Sequence, residues 1–567
     1  MNKERLTNNI LNALSKHPYL CLFGICLLID PFFFGSIENI PNNALWLESI
    51  IITAMIALFG VHRYNSGKLT KTRLVIFLIF SLTAVLSSVQ LYAYSQNKAL
   101  WHFIGGCVIV FILYHLVDLK KYHTLIKSFL IIGIGMMLKL YYVLVTSVYD
   151  RQHDVNSFGG DSGHAGYIEY LLYNHKLADF DVRERWQFCH PPLHHAISAL
   201  WIFLNENVMQ TGYDQARESI QMLTLFYSGC IIISAYKIFR HFGFEGNALY
   251  IPLTIVSFHP AYILFSGSIN NDPLSTALVT GAVLCTLKWY RSPTMKNILK
   301  IALCVGFAMM SKVTAATIAP AIALVFLIVF IRKFKKDWKN LLKQYICFGI
   351  VCVPLGLWYG IRNYIKWKIP LTYVSELSEY EPQYIKNLTF FQRVTNFSFS
   401  QLKSPYIQWE YTDENGVISG YNEYNPLIAL MKNSVFGESI NQYAFEGTEY
   451  INVVSTIFFW LNVAVAGFAF YAMIKMCFGK CSAEAAEKVL FVGFYVVMMA
   501  VFYKNAASYP FVCTMNFRYI TPTIIVGTVF IGLIMKEKSE SKAINYCMSA
   551  ATVSFSATST MVYLAIN

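Results

Sequence analysis

The sequence predicts an all-α polytopic membrane protein of about fifteen transmembrane helices, with two large loops on one side of the membrane. Three observations predict it. Of 567 residues, 56% are hydrophobic and only 14% are charged, where a soluble globular protein carries roughly a quarter charged. Apolar runs of about 20 residues recur from end to end. Lysine and arginine gather in alternate connections, the signature of the positive-inside rule. Together these exclude a soluble enzyme, a disordered regulator and a disulfide scaffold. The net charge of +13 follows from the basic cytoplasmic connections, so no nucleic-acid partner is needed to explain it.

The spans fall near 18–36, 44–61, 74–94, 100–117, 124–148, 219–239, 247–268, 273–290, 297–311, 313–331, 344–361, 450–475, 487–503, 519–535 and 543–565. Each must satisfy its backbone internally and is therefore helical. The first is broken at Asp30-Pro31 and lacks a small-residue cleavage site, so it reads as a retained helix rather than a signal peptide. With the N-terminus inside, the basic stretches Arg63–Arg73, Lys120–Lys127, Arg291–Lys300, Arg332–Lys343 and Lys536–Lys542 are all cytoplasmic. That parity holds only if the short apolar segment His190 to Asn205 does not cross, so it is expected to lie at the interface or re-enter. The resulting organisation is a four-helix N-terminal extension (1–123), a catalytic membrane core (124–361) carrying a first outer loop (149–218), a second outer loop domain (362–449) and C-terminal helices (450–567). Most of the 13 cysteines lie in apolar segments and behave there as small hydrophobes. Cys477 and Cys481, two thiols at a cytoplasmic turn, make a weak metal claim.

Chemistry concentrates in the first outer loop. It carries His153-Asp154, then Asp161-Ser-Gly-His164-Ala-Gly-Tyr167, then Asp179-Phe-Asp181, and His190-Pro-Pro-Leu-His194-His195. Ionisable groups held at a membrane boundary are costly and often functional. Each also has a plainer reading. Asp161 would cap a helix starting at Ser162, Asp154 would pair with Arg151, and His190-Pro191-Pro192 would start a helix. His194 and His195 fit packing roles better than catalytic ones.

In order and spacing, the acidic loop after a span, the His-x-Gly-Tyr helix, Asp-Phe-Asp and His-Pro-Pro-Leu resemble the dolichyl-phosphate-mannose–protein mannosyltransferase family, within the GT-C superfamily of lipid-phosphate-dependent glycosyltransferases. Asn271-Asp272, Gly306–Lys312, Trp358–Tyr364 with Arg362-Asn363, and Phe517-Arg518-Tyr519-Ile-Thr-Pro522 are similar to its later elements. The resemblance covers about Lys139 to Leu533. The N-terminal spans are an addition, and the family's Asp-Glu pair at the loop start is missing. Asp154 holds the usual position of the base just after the span, whereas Asp161 has the family's spacing to His164.

The resemblance implies a GT-C-like fold and transfer of a sugar from a polyprenyl- or dolichyl-phosphate carrier, reached through membrane lipid, to a hydroxyl on a protein, polymer or lipid acceptor. An inverting transfer needs one carboxylate base on the attacking face, here Asp154 or Asp161. Lys312, Arg362 and Arg518, at outer span ends, suit the departing phosphate, with His164 and His190 beside them. Lys312 would otherwise snorkel, and Arg362 would mark the aromatic belt of Trp358, Tyr359 and Tyr364. Asp154, Asp161, Asp272 and His164 also offer oxygen and nitrogen ligands for a divalent ion such as Mg or Mn, although Asp272 before Pro273 equally marks a helix start. The rival is a polytopic transporter or lipid-carrier flippase, which would show inverted repeats and ionisable groups deep in its spans; no repeat is clear, and such groups are few, Asp30 and Lys139 among them. The expected location is a bacterial plasma membrane, N-terminus cytoplasmic and active site extracytoplasmic.

Overall fold

The computed structural model describes residues 15–33, isolated positions between 61 and 78, and 123–566 with short breaks between 372 and 449. The spans expected near 44–61, 74–94 and 100–117 lie, apart from a few isolated positions, outside the described residues. Regular structure elsewhere is helical: α1 (Pro18–Phe33), α2 (His123–Val145), α3 (Gly163–Asn174), α4 (Leu193–Asn207), α5 (Tyr213–Glu218), α6 (Ile220–His241), α7 (Asn247–Phe258), α8 (Pro260–Gly267), α9 (Asp272–Arg291), α10 (Met295–Ser311) and α11 (Ala319–Trp367). After α12 (Phe390–Thr395) comes a single antiparallel ribbon, β1 (Tyr411–Thr412) and β2 (Ile418–Gly420), an addition to the expected all-α chain. Then follow α13 (Pro426–Phe436), α14 (Tyr450–Phe478), α15 (Ala485–Ser508), α16 (Thr523–Glu537) and α17 (Lys542–Leu564).

Five stretches among the described residues are long and apolar enough to cross a membrane, or up to seven if each of two bent pairs is one span. One of the five, Val313–Trp367, covers α11. At Asp337 its backbone leaves the helical region (φ −147°, ψ 22°). Beyond that break the rings of Phe326 and Tyr345 stack at 5.0 Å, and the Tyr345 hydroxyl donates to the Phe326 carbonyl at 2.7 Å. In a straight helix these residues would stand about 28 Å apart. The chain therefore doubles back at Asp337, in the basic connection that the sequence placed between two spans.

The bend between α7 and α8 has an identifiable cause. Pro260 cannot continue α7 because it lacks an N–H, and α8 restarts at 43° with the His259 ring accepting from the Ala261 amide. Helix α9 opens with Asp272-Pro273 and closes with Lys288 and Arg291, matching proline to the first turn and charge to the macrodipole. Helix α6 is largely enclosed by its neighbours, whereas α14 shows most of its surface outward (78% against 22% of the apolar window buried).

The His190-to-Asn205 segment forms α4, whose 15 residues reach about 22 Å and fall short of a bilayer core. His194 bonds the Ile269 carbonyl at 2.7 Å and the Trp201 indole donates to Ser219 at 3.0 Å. Both partners lie at the same end of the bundle, just after α8 and just before α6. Helix α4 thus lies along the face that bears the two long loops. That loop face carries the site.

Candidate active site

The site is assembled where four chain segments meet at the loop face. After α2 the chain turns through a left-handed backbone at Arg151, Asp154 and Asn156 (φ 56°, 63° and 58°), conformations that cost non-glycine residues energy and concentrate at functional sites. Gln152 clamps the segment after α8, donating to the Gly267 carbonyl at 2.7 Å and accepting from the Ile269 amide at 3.1 Å. The Asp154 and Val155 carbonyls accept from the amides of His164 and Ala165, both at 3.0 Å. The loop thereby satisfies the first turn of α3 with its own backbone, and the Asp154 side chain is free to turn inward. Gly163 makes this approach feasible: its φ is +74°, and a Cβ there would stand 2.3 Å from the Val155 carbonyl oxygen.

Asp154 meets Arg518 at 2.9 Å. Arg518 sits on the short 3-10 turn Phe517–Ile520, which starts at Asn516, whose side-chain oxygen accepts from the Arg518 amide at 2.8 Å. The same guanidinium donates to the Tyr519 hydroxyl at 2.9 Å, and its Nε stands 3.9 Å from Asp272 without a hydrogen-bond partner of its own. Asp272 is ion-paired to Lys312. That contact is held by reciprocal bonds at the helix ends: Asn271 donates to the Ser311 carbonyl at 3.0 Å, and the Ser311 hydroxyl donates to the Asn271 carbonyl at 3.1 Å. Lys312 also lies 5.0 Å from the Tyr519 ring centroid, within cation–π range. Two acids and two cations thus form one alternating cluster, Asp154–Arg518–Asp272–Lys312.

A cavity of about 250 Å³ opens onto this cluster. Asp154, His164, His190, Asp272, Lys312 and Arg518 line it, and Trp186, Tyr359, Asn363, Asn505, Tyr509 and Tyr519 complete its wall. Val313, Ile369, Pro370, Leu371 and Leu377 line it as well, so charged and apolar walls share one cavity, which suits a ligand with a charged head and a greasy body. Burial works against the Asp154 carboxylate, but the charges of Arg518 and His153 outweigh it and hold its pKa below the usual carboxylate value. Burial, and then Lys312, push His190 down to about 4, and burial drives His164 well below the ordinary imidazole value. Both rings are therefore neutral at pH 7 and act as hydrogen-bonding surfaces. His164 stacks on His190 at 5.7 Å and its Nδ1 lies 2.8 Å from His195 Nε2.

Other sequence-level candidates lie elsewhere. Asp161 points out of the cavity, 77% exposed, with Arg185 at 4.0 Å. It does not cap α3 either, because the cap position is Ser162 and no side chain bonds there. Arg362 is turned away as well. It donates to the Ala178 carbonyl and, at 3.0 Å, to the Asn363 side chain, and it lies 5.0 Å from the Trp367 ring. It ties α11 to the first loop, while its neighbours Tyr359 and Asn363 reach the cavity. Arg151, the surface partner considered for Asp154, instead bonds Thr146 at 2.9 Å. His194 and His195 are fully buried beneath the site. Sequence reasoning missed Glu438 and Asn516 and carried Tyr519 only as part of the Arg518 motif. Asn516 lies two residues from Arg518, close enough to have been flagged, but nothing near Glu438 in the sequence marks it.

A divalent ion does not fit this donor set. Among the described residues no three metal-ligating side chains converge. Asp154 and Asp272 are each engaged by a cation, and a metal would have to displace both pairs.

A family model described as dolichyl-phosphate-mannose-protein mannosyltransferase matches residues 190–358, under a third of the chain. That stretch holds His190, Asp272 and Lys312. No curated protein matches the sequence. Among solved structures, the archaeal oligosaccharyltransferase AglB from Archaeoglobus fulgidus, in complex with an inhibitory peptide and a dolichol-phosphate, aligns with a TM-score of 0.44 and 12% identity. The alignment covers 79% of this chain, which spans 56% of the AglB chain.

Proposed function

We propose that this protein is a membrane glycosyltransferase that moves a sugar from a polyprenyl- or dolichyl-phosphate carrier to a hydroxyl acceptor, with Asp154 as the base. The observation that carries this reading is the alternating cluster of two carboxylates and two cations on one cavity with an apolar flank. A lipid-phosphate sugar brings one anionic phosphate, and Arg518 and Lys312 are the groups to receive it. On arrival the phosphate competes with Asp154 for Arg518 and with Asp272 for Lys312. Asp154 is then released from its ion pair and its basicity rises, so the base is activated by the donor it serves.

In the transfer step the acceptor oxygen forms a bond to the anomeric carbon as its O–H proton passes to Asp154. The bond from the anomeric carbon to the phosphate oxygen breaks, and its electron pair remains on the carrier phosphate. Arg518 and Lys312 hold that charge. A phosphate is a good leaving group, so no strong general acid is needed. The neutral rings of His164 and His190 offer hydrogen bonds to sugar hydroxyls without competing for the phosphate. The loop face would be extracytoplasmic, with the carrier entering laterally from the bilayer. No step requires a metal.

The test is incubation of the purified protein with a panel of polyprenyl-phosphate sugars, with free polyprenyl phosphate as the readout. Release by wild type, and loss of carrier binding in Arg518→Gln and Lys312→Met, supports the reading. A wild type that neither binds nor cleaves any carrier moves the weight to the transporter.

A further inference from the structure

Arg518 also lines a second, smaller cavity of about 30 Å³. Its wall includes His153, Glu438 and Asn516. Glu438 comes from the second large loop, immediately after Gly437, which ends α13 with φ +59° and turns the chain back toward the site. Its carboxylate is nearly inaccessible (side chain 5% exposed). One oxygen accepts from the Asn516 side chain at 2.6 Å, and the other lies 3.6 Å from His153 Nδ1.

These two partners adjoin the two halves of the Asp154–Arg518 pair. Asn516 caps the turn that presents Arg518, and His153 precedes Asp154 at the point where the backbone is left-handed. A single carboxylate therefore hydrogen-bonds one segment, at Asn516, and lies against the other, at His153, where two segments more than 360 residues apart in sequence meet.

We propose that Glu438 is a positioning residue of this site, fixing Asp154 through His153 and Arg518 through Asn516. The inference rests on the glycosyl-transfer reading. Glu438 and Asp154 are two acids beside one guanidinium, that of Arg518. Burial raises the Glu438 pKa to about 7, so the group is sensitive to its surroundings near neutral pH. The titratable and charged groups around it are His153, Asp154, Arg151, Cys513, Arg518 and Tyr519.

The expected signature of Glu438→Gln is a split in the kinetics. The amide preserves the shape and one acceptor, so the protein folds and the carrier KM does not rise. Turnover falls about 10- to 100-fold, because loss of the carboxylate moves the reacting groups by a fraction of an ångström to an ångström. Glu438→Asp keeps the charge with a shorter reach and recovers part of kcat. Both variants are compared with wild type in the carrier-release assay and by thermal unfolding in detergent. Unchanged kcat in Glu438→Gln overturns the proposal. So does a loss of kcat accompanied by a raised KM and a lowered Tm, which is the mark of a purely structural residue. Absence of turnover in wild type is a different result, because it overturns the transferase reading on which the proposal stands.

Discussion

Replacing Asp154 by asparagine separates the chemistry of the site from its architecture. The side chain keeps its shape, and its amide oxygen can still accept from Arg518 at the present 2.9 Å separation. The backbone carbonyl that supports α3 is untouched. Fold and assembly should therefore survive, with a thermal midpoint close to wild type. What is lost is the proton acceptor. General-base catalysis is worth about 10²- to 10⁴-fold, so kcat should drop by that factor, or about 3 to 5 kcal/mol at 1.36 kcal/mol per tenfold. The carrier KM should stay level or fall, because an uncharged partner competes less with the phosphate for Arg518. The assay is release of polyprenyl phosphate at several carrier concentrations, with Asp161→Asn alongside. Asp161 is 77% exposed with only Arg185 at 4.0 Å, so its variant should stay within about twofold of wild type. An Asp154→Asn protein that keeps more than a tenth of wild-type kcat refutes the assignment. So does an Asp161→Asn protein that falls as far as the Asp154 variant.

Further outcomes follow from the same geometry. Because Arg518 and His153 depress the Asp154 pKa against burial, the ionised form is present above that lowered value and is lost only as pH falls through it. The kcat/KM profile of the free enzyme should therefore show no Asp154 limb between pH 5 and 8, and an acid limb there that vanishes in Asp154→Asn would contradict the assignment. Glu438 has the opposite sign, since a carboxyl pKa raised to about 7 stabilises the fold at low pH and loses that contribution as pH rises from about 4.3 through 7. Thermal midpoints should decline across that window in wild type and decline less in Glu438→Gln. Gly163→Ala places a Cβ 2.3 Å from the Val155 oxygen at φ +74°. It should cost about 1 to 3 kcal/mol and reduce turnover with it, read as a lowered unfolding midpoint together with lost carrier release.

The parts of this protein that the sequence discloses are those with a local physical cause. A span is a run of apolar residues long enough to cross, so α2, α6, α14 and α15 are legible in the sequence alone. The reversal inside α11 was equally legible, because Arg332 to Lys343 has the charge of a cytoplasmic connection. Parity, together with a length too short to cross, led to the expectation that α4 lies at the interface or re-enters. Asp272, Lys312 and Arg518 came from their resemblance to later elements of the mannosyltransferase pattern, and each is also a charge at a span end, where desolvation makes an idle charge expensive. Arg362 came from the same resemblance, but its guanidinium goes to the Ala178 carbonyl and an aromatic face. Nothing local distinguishes Arg362 from Arg518. The difference lies in which distant carboxylate arrives beside each, and that is a property of packing.

The choice between Asp154 and Asp161 has the same origin. Both are loop acids near His164, but the α3 amides bond the backbone of Asp154 and Val155, which turns one side chain inward and leaves the other in solvent. Glu438 is the extreme case. Its role arises only where Asn516 and His153 meet, and it follows a glycine turn in a loop that otherwise reads as an aromatic and acidic cover. A contact that closes between residues 154 and 518 leaves no periodicity, spacing or composition behind. Its only trace in the sequence is a set of charges, each too costly at a membrane boundary to remain unpaired, and the fold shows which of them are partners.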